Sequence, residues 1–204
     1  EDVSSAWKIA VDGRYDTCAF ADVNQDGFED LYVNGTVTGG TSYPDYLFFN
    51  GGDAFRDVTP DSIRALQADH GAAWADVNRD GMLDLALTGS GANGMHYVLK
   101  NAFKQGPGAA SIQVRVVDAL GRATRQGAEV RLFEAGTRRL LGTRIVDSGS
   151  GYNAQNDLPV HFGTGAILRV DVEVTLPRAG RPVTRRANVQ GVMASVMTVT
   201  VGAK

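Results

Sequence analysis

The sequence predicts an all-β protein in which β-propeller-type blades, containing a twice-repeated acidic loop, are followed by a β-sandwich. Residues 21–31 and 75–85 share the pattern Ala-Asp-Val-Asn-x-Asp-Gly-x-x-Asp-Leu, at a spacing of 54 residues. That spacing lies near the upper end of propeller-blade repeat lengths. The second half alternates short strand candidates with glycine- and proline-containing turns, and it shows no long amphipathic helix.

The first repeated loop (loop 1, residues 22–30) and the second (loop 2, residues 76–84) have the side chains that a calcium ion needs. Calcium takes about six to eight oxygen ligands. Counted from the first aspartate, oxygen-bearing side chains occupy positions 1, 3, 5 and 9, and glycine at position 6 permits a sharp turn. A backbone carbonyl at position 7 would add a further ligand. The predicted ligands of two calcium ions are Asp22, Asn24, Asp26, the Phe28 carbonyl and Asp30 in loop 1, and Asp76, Asn78, Asp80, the Met82 carbonyl and Asp84 in loop 2.

Two other interpretations of the loops are weaker. An EF-hand needs a glutamate at position 12, where this chain has Val33 and Leu87, and the flanking residues 17–20, 31–33 and 83–87 resemble strands rather than helices. Aspartate, asparagine and glycine also suit metal-free turns, but two copies in one register favour calcium. Because three carboxylates in one loop repel one another without a cation, we expect calcium to stabilise the fold.

Further strand signals follow each loop. Residues 46–50 and 54–59 predict two strands joined by a tight turn at Gly51-Gly52. A short helix is predicted over residues 60–67, since proline suits a first helical turn, and another strand over 96–101. The first half therefore predicts two blades.

Two blades do not close a propeller, which needs about four to eight. The sequence opens at Glu1-Asp2-Val3 like a processed or trimmed chain, with no signal peptide. We expect a fragment or mature C-terminal piece of a longer protein. The alternatives are blades supplied by another subunit, or an open two-blade stack capped by the second half.

The second half differs from the first in composition. Residues 1–104 hold seven lysines and arginines against sixteen aspartates and glutamates (net −9), whereas residues 105–204 hold thirteen against seven (net +6). Residues 105–109 are typical of a linker. We therefore predict a repeat region over 1–104 and a β-sandwich over 105–204. The predicted strands of the sandwich span residues 111–117, 128–133, 140–146, 167–174 and 192–201.

The first half resembles the FG-GAP/VCBS repeat family. The resemblance covers about residues 14–104 and depends on the calcium loop followed by the Leu-Phe-x-Asn-Gly-Gly hairpin at 47–52. Members of that family form blades of calcium-binding β-propellers. The Phe-Gly-Gly-Ala-Pro signature is absent, which fits the VCBS branch better than the integrin branch.

The second half resembles the ASPIC/UnbV domain over about residues 110–203. The motifs are Gly-Tyr-x-x-Gln-x-Asp at 151–157 and His-Phe-Gly-x-Gly at 161–165. Two features depart from the family pattern: Asn153-Ala154 replaces the usual Leu-Ser, and Leu176-Pro177 replaces Trp-Pro. The family usually follows FG-GAP/VCBS propellers in secreted proteins, so the resemblance implies the same order here.

No catalytic motif is persuasive. Residues 89–94 fit G-x-G-x-x-G, but a strand rather than a helix is predicted next, so a loop between strands is favoured. His70, His96 and His161 lack metal-ligand spacing, and His70 and His161 are better read as structural hydrogen-bonding groups. The sequon at Asn34 is interpreted as a turn that matches by chance.

Composition argues against a membrane span, an intrachain disulfide and nucleic-acid binding. No apolar run approaches the length of a membrane span, and the lone Cys18 excludes an intrachain disulfide. Nucleic-acid binding needs a basic stripe with interleaved aromatic residues, whereas the arginines are scattered and favour a solvated face or an acidic partner. They are Arg138, Arg139, Arg178, Arg181, Arg185 and Arg186.

Together these features predict a secreted calcium-binding structural or adhesion protein, and not an enzyme. It would act through a protein partner or by self-association into an oligomer or filament, since exposed blade edges invite strand pairing. Calcium loops favour an extracellular, periplasmic or cell-surface location. The alternative is a carbohydrate-binding module, or part of an extracellular enzyme, on a propeller scaffold that binds a glycan.

Overall fold

The computed structural model describes residues 1–66, 70–89, 96–104, 110–149, 151–152, 154–157, 159–190 and 195–202. Nearly all of its regular structure is β. The strands are β1 (Tyr15–Ala21), β2 (Asp30–Gly35), β3 (Val37–Thr38), β4 (Thr41–Ser42), β5 (Tyr46–Asn50), β6 (Phe55–Asp57), β7 (Gly71–Ala75), β8 (Asp84–Thr88), β9 (His96–Leu99), β10 (Ala110–Val117), β11 (Glu129–Glu134), β12 (Leu140–Ile145), β13 (Val160–Gly165), β14 (Arg169–Thr175), β15 (Val183–Gln190) and β16 (Val196–Thr200), and one short helix, α1, spans Asp61–Arg64.

The first half contains two antiparallel sheets with the orders β1-β2-β5-β6 and β7-β8-β9, and a short β3-β4 ribbon. Loop 1 connects β1 to β2, whose last pair is Ala21 with Asp30. Loop 2 connects β7 to β8 at the equivalent pair, Ala75 with Asp84. Both acidic loops are therefore hairpin connections at the ends of corresponding strands.

A shared apolar core holds the two sheets together. Tyr32 of β2 and Trp74 of β7 are buried and meet edge to face, with ring centroids 6.3 Å apart. Leu47 and Leu85 belong to the same cluster. Because buried aromatic residues contribute large contact areas, this pair fixes the first sheet against the second.

The second half is a sandwich of a three-stranded sheet, β13-β10-β16, and a four-stranded sheet, β12-β11-β14-β15. Strand β10 is antiparallel to β13 and parallel to β16. Inward residues of both sheets form one buried cluster, including Ile112, Phe162, Leu132 and Val172. In β11 the buried Val130 and Leu132 flank the exposed Arg131, whereas β14 is buried at each of its last four positions.

The structure confirms the predicted all-β class, with propeller-type repeat sheets followed by a sandwich. Five of the described strands were not predicted: the two-residue strands β3 and β4, and the longer strands β7, β13 and β15. Strand β7 is rich in glycine and alanine, which have low strand propensity, and β15 is mostly exposed and therefore carries arginine and asparagine instead of an apolar alternation. The helix is shorter than predicted and ends at Arg64.

Some predictions lie outside the described residues. The linker at 105–109 and most of the G-x-G-x-x-G segment at 89–94 belong there, so the boundary between residues 104 and 105 stays a prediction. The sequon residue Asn34 is in strand β2 rather than in a turn, and it is buried, with Nδ2 donating to Asp45 Oδ1 at 3.4 Å. Its burial leaves no room for a glycan.

Truncation of a core leucine should measure how much the sandwich core contributes to stability. Leu132 is fully buried between the two sheets, so Leu132→Ala should lower the free energy of unfolding by about 3 kcal/mol, through lost burial and a residual cavity. Urea unfolding provides the measurement. Leu120→Ala, at a residue that is 75% exposed, is the matched control and should change stability by less than about 0.5 kcal/mol. Equal effects of the two variants would contradict this core assignment.

Candidate functional site

The two acidic loops adopt the same backbone conformation. At position 4, Gln25 and Arg79 both have φ of 61°, and at position 6 Gly27 and Gly81 have φ of 97° and 86°. Left-handed backbone is unfavourable for non-glycine residues, so its occurrence twice at position 4 reflects a requirement of the loop. The repeat in sequence is therefore a repeat in geometry.

Carboxylates hold each loop closed by accepting backbone hydrogen bonds. The position-1 aspartate of each loop accepts from the N–H groups of positions 5 and 6, all at 3.0 Å. The position-9 aspartate accepts from the N–H of position 2, at 2.9 Å in loop 1 and 3.2 Å in loop 2. Positions 1 and 9 therefore fix the two ends of a compact turn.

Sequence reasoning missed two asparagines that complete the loops. The Asn50 N–H donates to Asp30 Oδ1 at 2.9 Å, and the Asn101 N–H donates to Asp84 Oδ1 at 2.8 Å. Their amides bind loop carbonyls: Asn50 Nδ2 donates to Glu29 O, and Asn101 Nδ2 donates to Leu83 O. The signal was available, since Asn50 ends β5 and Asn101 lies two residues past the end of β9, but both were treated only as the last residues of predicted strands.

Asn101 also connects the two loops. Its Nδ2 donates to the carbonyl of Val23 in loop 1 at 2.9 Å, in addition to its bond within loop 2 at 3.1 Å. Asn50 makes no described bond to loop 2. The two repeats are therefore joined by hydrogen bonds as well as by their apolar core.

Loop 1 concentrates negative charge. Burial, with the charge of Asp26 adding to it, raises the pKa of Asp22 to about 6. Burial also raises the pKa of Asp30 to about 7, against N–H donors from Asn50 and Val23, and the charges of Asp22 and Asp26 contribute. Such mutual repulsion between buried carboxylates is the environment that a bound cation would relieve.

Loop 2 differs in its charge balance. Burial acts to raise the pKa of Asp80, but the Met82 N–H, the Asn78 amide and the Lys100 ammonium together lower it. Lys100 Nζ lies 3.6 Å from Asp80 Oδ2. A cation from the protein itself therefore offsets part of the negative charge of loop 2.

The donor set fits a hard cation by its chemistry, since each loop supplies three carboxylates, one amide oxygen and a carbonyl at position 7. The side chains at positions 3 and 5 bond to each other in both loops, with Nδ2 to Oδ2 distances of 2.9 Å. Among the described residues, no three histidine, cysteine, aspartate or glutamate side chains are grouped so as to hold a metal ion. Coordination would therefore require the pair at positions 3 and 5 to reorient.

The carbonyl of Gly81 is the point at which loop 1, loop 2 and the sandwich meet. It accepts from Gln25 Nε2 of loop 1 at 2.7 Å, from Ser111 Oγ of β10 at 2.9 Å, and from His161 Nε2 of β13 at 3.0 Å. The Gly81 carbonyl thus binds three side chains from three different segments. Loop 2 is held by the sandwich as well as by its own strands.

His161 acts here as a neutral donor. Burial lowers its pKa to about 4; the Arg144 charge adds to this effect, while the Gly81 carbonyl and the Asp76 carboxylate oppose it. Since the imidazole is uncharged near neutral pH, the Nε2–H is the donor to Gly81. His70, by contrast, lies at the surface with Nδ1 3.0 Å from Asp16 Oδ2.

A second contact joins the sandwich to the repeat sheets. The Trp74 N–H donates to Asn156 Oδ1 at 2.8 Å, and the Asp157 N–H donates to the Trp74 carbonyl at 3.0 Å. Arg144 of β12 also forms a 3.0 Å ion pair with Glu29 of loop 1. Between these contacts lies a cavity of about 490 Å³.

Comparison with protein-family models gives two matches. Residues 22–87 match the FG-GAP-like repeat, and residues 121–196 match the ASPIC and UnbV family. The chain carries an FG-GAP-like repeat followed by an ASPIC/UnbV domain. The first match begins at position 1 of loop 1 and includes loop 2, and the second includes the His-Phe-Gly segment of β13. Both predicted resemblances are thereby confirmed.

The two families bound the function coarsely. FG-GAP repeats are of β-propeller type and are typical of extracellular or cell-surface proteins, and the pair suggests an adhesion-related protein. Both families are generally non-catalytic. In the described part of the chain, no helix has the length and apolar character needed to cross a bilayer.

Solved structures offer only distant likeness. The gamma-CGTase of alkalophilic Bacillus clarkii is 14% identical, with 85% of this chain and 25% of that chain covered and a TM-score of 0.22. A leucine-rich repeat protein of Bacteroides thetaiotaomicron is 9% identical, with coverage of 93% and 24% and a TM-score of 0.26. The chain spans about a quarter of the length of each, and similarity at this level carries no argument about function. No curated protein matches the sequence.

Substitution of Asn50 and of Asn101 should separate the stability gained from bonds within a loop from the stability gained from the bond between the loops. Asn101→Ala deletes the donor to carbonyls of both loops, whereas Asn50→Ala deletes the donor to one carbonyl of its own loop. We expect Asn101→Ala to lower the free energy of unfolding by about 1 kcal/mol more than Asn50→Ala, because it leaves one more buried acceptor without its donor. Chemical unfolding in chelator is the measurement. An equal or larger loss in Asn50→Ala would show that the bond to Val23 contributes nothing.

Proposed function

We propose that this protein is a secreted, calcium-binding structural or adhesion protein in which two calcium ions stabilise the repeat sheets. The observation that carries the proposal is the twice-repeated loop geometry, in which the aspartates at positions 1 and 9 accept the same backbone hydrogen bonds in both loops. The raised pKa values of Asp22 and Asp30 support it, because a cation would offset the repulsion that contributes to them. The extracellular character of FG-GAP proteins is consistent with a calcium-rich environment.

The proposed ligands are the side chains at positions 1, 3, 5 and 9 and the carbonyl at position 7. In loop 1 they are Asp22, Asn24, Asp26, Phe28 and Asp30, and in loop 2 Asp76, Asn78, Asp80, Met82 and Asp84. The ion would supply positive charge at the centre of each loop. The chain's own contribution is to fix the turn, through the glycine at position 6 and the N–H donors that orient positions 1 and 9.

The binding role would be exercised at sheet edges and through charge. Strand β9 is the outer edge of its three-stranded sheet among the described strands, and its Val98 side chain is 65% exposed. A strand from another chain can add to such an edge through backbone hydrogen bonds. The net charges of −9 and +6 on the two halves also favour head-to-tail contact between copies.

A glycan-binding role is a second candidate because of the cavity between loop 1 and the sandwich. It is lined in part by Phe20, whose ring is half exposed, and by Arg144, Asp147 and Asp157. An aromatic ring beside charged groups is a suitable surface for a polar ligand that fits the cavity of about 490 Å³. Binding on a glycan array that is lost in Phe20→Ala would support this candidate, and an array without hits would count against it.

Calcium should stabilise the protein strongly. At a free concentration a thousand times its dissociation constant, each ion should add about 4 kcal/mol to the free energy of unfolding, so the thermal midpoint should fall by many degrees in chelator. Asp26→Asn and Asp80→Asn should each remove part of this difference. Asp53→Asn, at an exposed hairpin carboxylate outside the loops, should leave it unchanged.

Two outcomes of the same unfolding experiment would reject calcium binding at the loops. If the midpoints in excess calcium and in chelator coincide for the unmodified protein, the loops are ordinary turns. If they differ but Asp26→Asn and Asp80→Asn behave like Asp53→Asn, calcium binds elsewhere.

Self-association is tested separately by size-exclusion chromatography with light scattering, with and without calcium. We expect species larger than the monomer, reduced by Val98→Lys, because a charge on an edge strand opposes strand pairing. Leu120→Lys, at another exposed apolar side chain, is the control. A monomer under every condition would reject self-association and leave a heterologous partner as the binding target.

A further inference from the structure

We propose that the β10–β13 sheet provides the outer hydrogen-bond shell of both metal loops, with Gly163 positioning the first carboxylate of loop 1 and Gln113 positioning that of loop 2. This inference rests on the proposed calcium binding. It assigns the orientation of the calcium-binding carboxylates to residues in the second half of the chain. Gly163 and Gln113 are positioning residues, since each acts on a ligand and not on the ion.

Equivalent atoms of the two loops receive these bonds. The Gly163 N–H donates to Asp22 Oδ2 at 2.9 Å, and Gln113 Nε2 donates to Asp76 Oδ2 at 2.8 Å. In each loop the same oxygen also accepts the N–H of position 6. The position-1 oxygen that faces the sandwich is thus doubly hydrogen-bonded in both loops, which fixes the orientation of the carboxylate.

One small piece of sheet makes both contacts. Strands β10 and β13 are antiparallel neighbours, with Gln113 opposite His161 and Ser111 opposite Gly163. These four residues, defined here as the docking face, contact two kinds of acceptor in the loops. Gln113 and Gly163 bind the position-1 carboxylates, while Ser111 and His161 bind the Gly81 carbonyl.

The contact with loop 1 requires glycine. A Cβ added to Gly163 would lie 2.1 Å from Asp22 Oδ2 and 2.6 Å from the Gln25 Cα. The Gln25 atom belongs to the backbone, so a side chain at this position cannot be accommodated by rotating a flexible neighbour. Any larger residue must therefore separate loop 1 from β13.

Coupling between the loops follows from the same face. Gln25, which is buried, reaches from loop 1 to the Gly81 carbonyl that Ser111 and His161 also bind. A shift of either loop would disturb hydrogen bonds shared with the other. Removal of a group that orients a metal ligand commonly lowers the metal affinity by about 10- to 100-fold. We expect a comparable loss of calcium affinity when the contact from Gly163 or Gln113 is removed.

The test is a calcium titration of the full chain followed by ¹H–¹⁵N NMR, with the Gly27 and Gly81 amide signals reporting loops 1 and 2 separately. Gln113→Met keeps the side-chain length and removes the donor, and it should weaken calcium binding at loop 2 about 10-fold, with loop 1 changed much less. Gly163→Ala should weaken loop 1 preferentially.

Each variant has a matched control in the second half. Gln126→Met alters an exposed glutamine whose Nε2 bonds only to Ala123 O among the described contacts. Gly202→Ala adds a Cβ that meets nothing within 4 Å. Both controls should retain the calcium affinities of the unmodified protein at the two loops.

The outcomes are distinguishable. If the unmodified chain shows no calcium-dependent shifts, the proposed calcium binding fails, and this inference fails with it. If calcium binds but Gln113→Met leaves loop 2 unchanged, or weakens both loops equally, the positioning role alone is overturned. Should Gly163→Ala fail to fold, Gln113→Met decides the question.

Discussion

The closure of two short hairpin connections by backbone hydrogen bonds to their own aspartates is the constraint on which the rest of this structure depends. Each loop turns through left-handed backbone at positions 4 and 6 and closes with N–H bonds to its first and last aspartates. This arrangement satisfies the backbone, and in loop 1 burial, with the charges of neighbouring aspartates adding to it, raises the pKa values of Asp22 and Asp30. Groups outside the loops are therefore needed to orient and stabilise them.

Those groups come from three directions. Asn50, at the end of β5, and Asn101, two residues after β9, bind the position-9 aspartates and the adjoining carbonyls. The neighbouring loop contributes Gln25, and the sandwich contributes the docking face. The contact between the two halves therefore differs from their apolar interiors. Among the described residues it consists largely of hydrogen bonds to the loops. The ASPIC/UnbV domain therefore supplies donors that hold the loops of the repeat before it.

This polar contact also explains features that packing alone does not. A buried, neutral histidine is expensive to desolvate unless its N–H finds an acceptor, and His161 finds one in the Gly81 carbonyl. Gly163 has no role in the apolar core, yet the chain approaches loop 1 so closely there that no Cβ fits. Both residues belong to the His-Phe-Gly segment, whose phenylalanine, Phe162, points instead into the sandwich core. Alternation along β13 thus directs successive residues to the core and to the loops.

The sequence by itself determined the features that depend on local spacing. The loop repeat, the all-β class, the two families and most strands follow from residues close together in the chain, because turns and alternation are local properties. Strands such as β7 and β15 escaped because their residues have weak strand propensity, and only pairing with β8 and β14 makes them strands. The tertiary structure alone decided what surrounds the loops. Gln113 and Gly163 lie 37 and 141 residues from the aspartates that they contact, and no local pattern encodes a hydrogen bond that forms only when two separate sheets pack together.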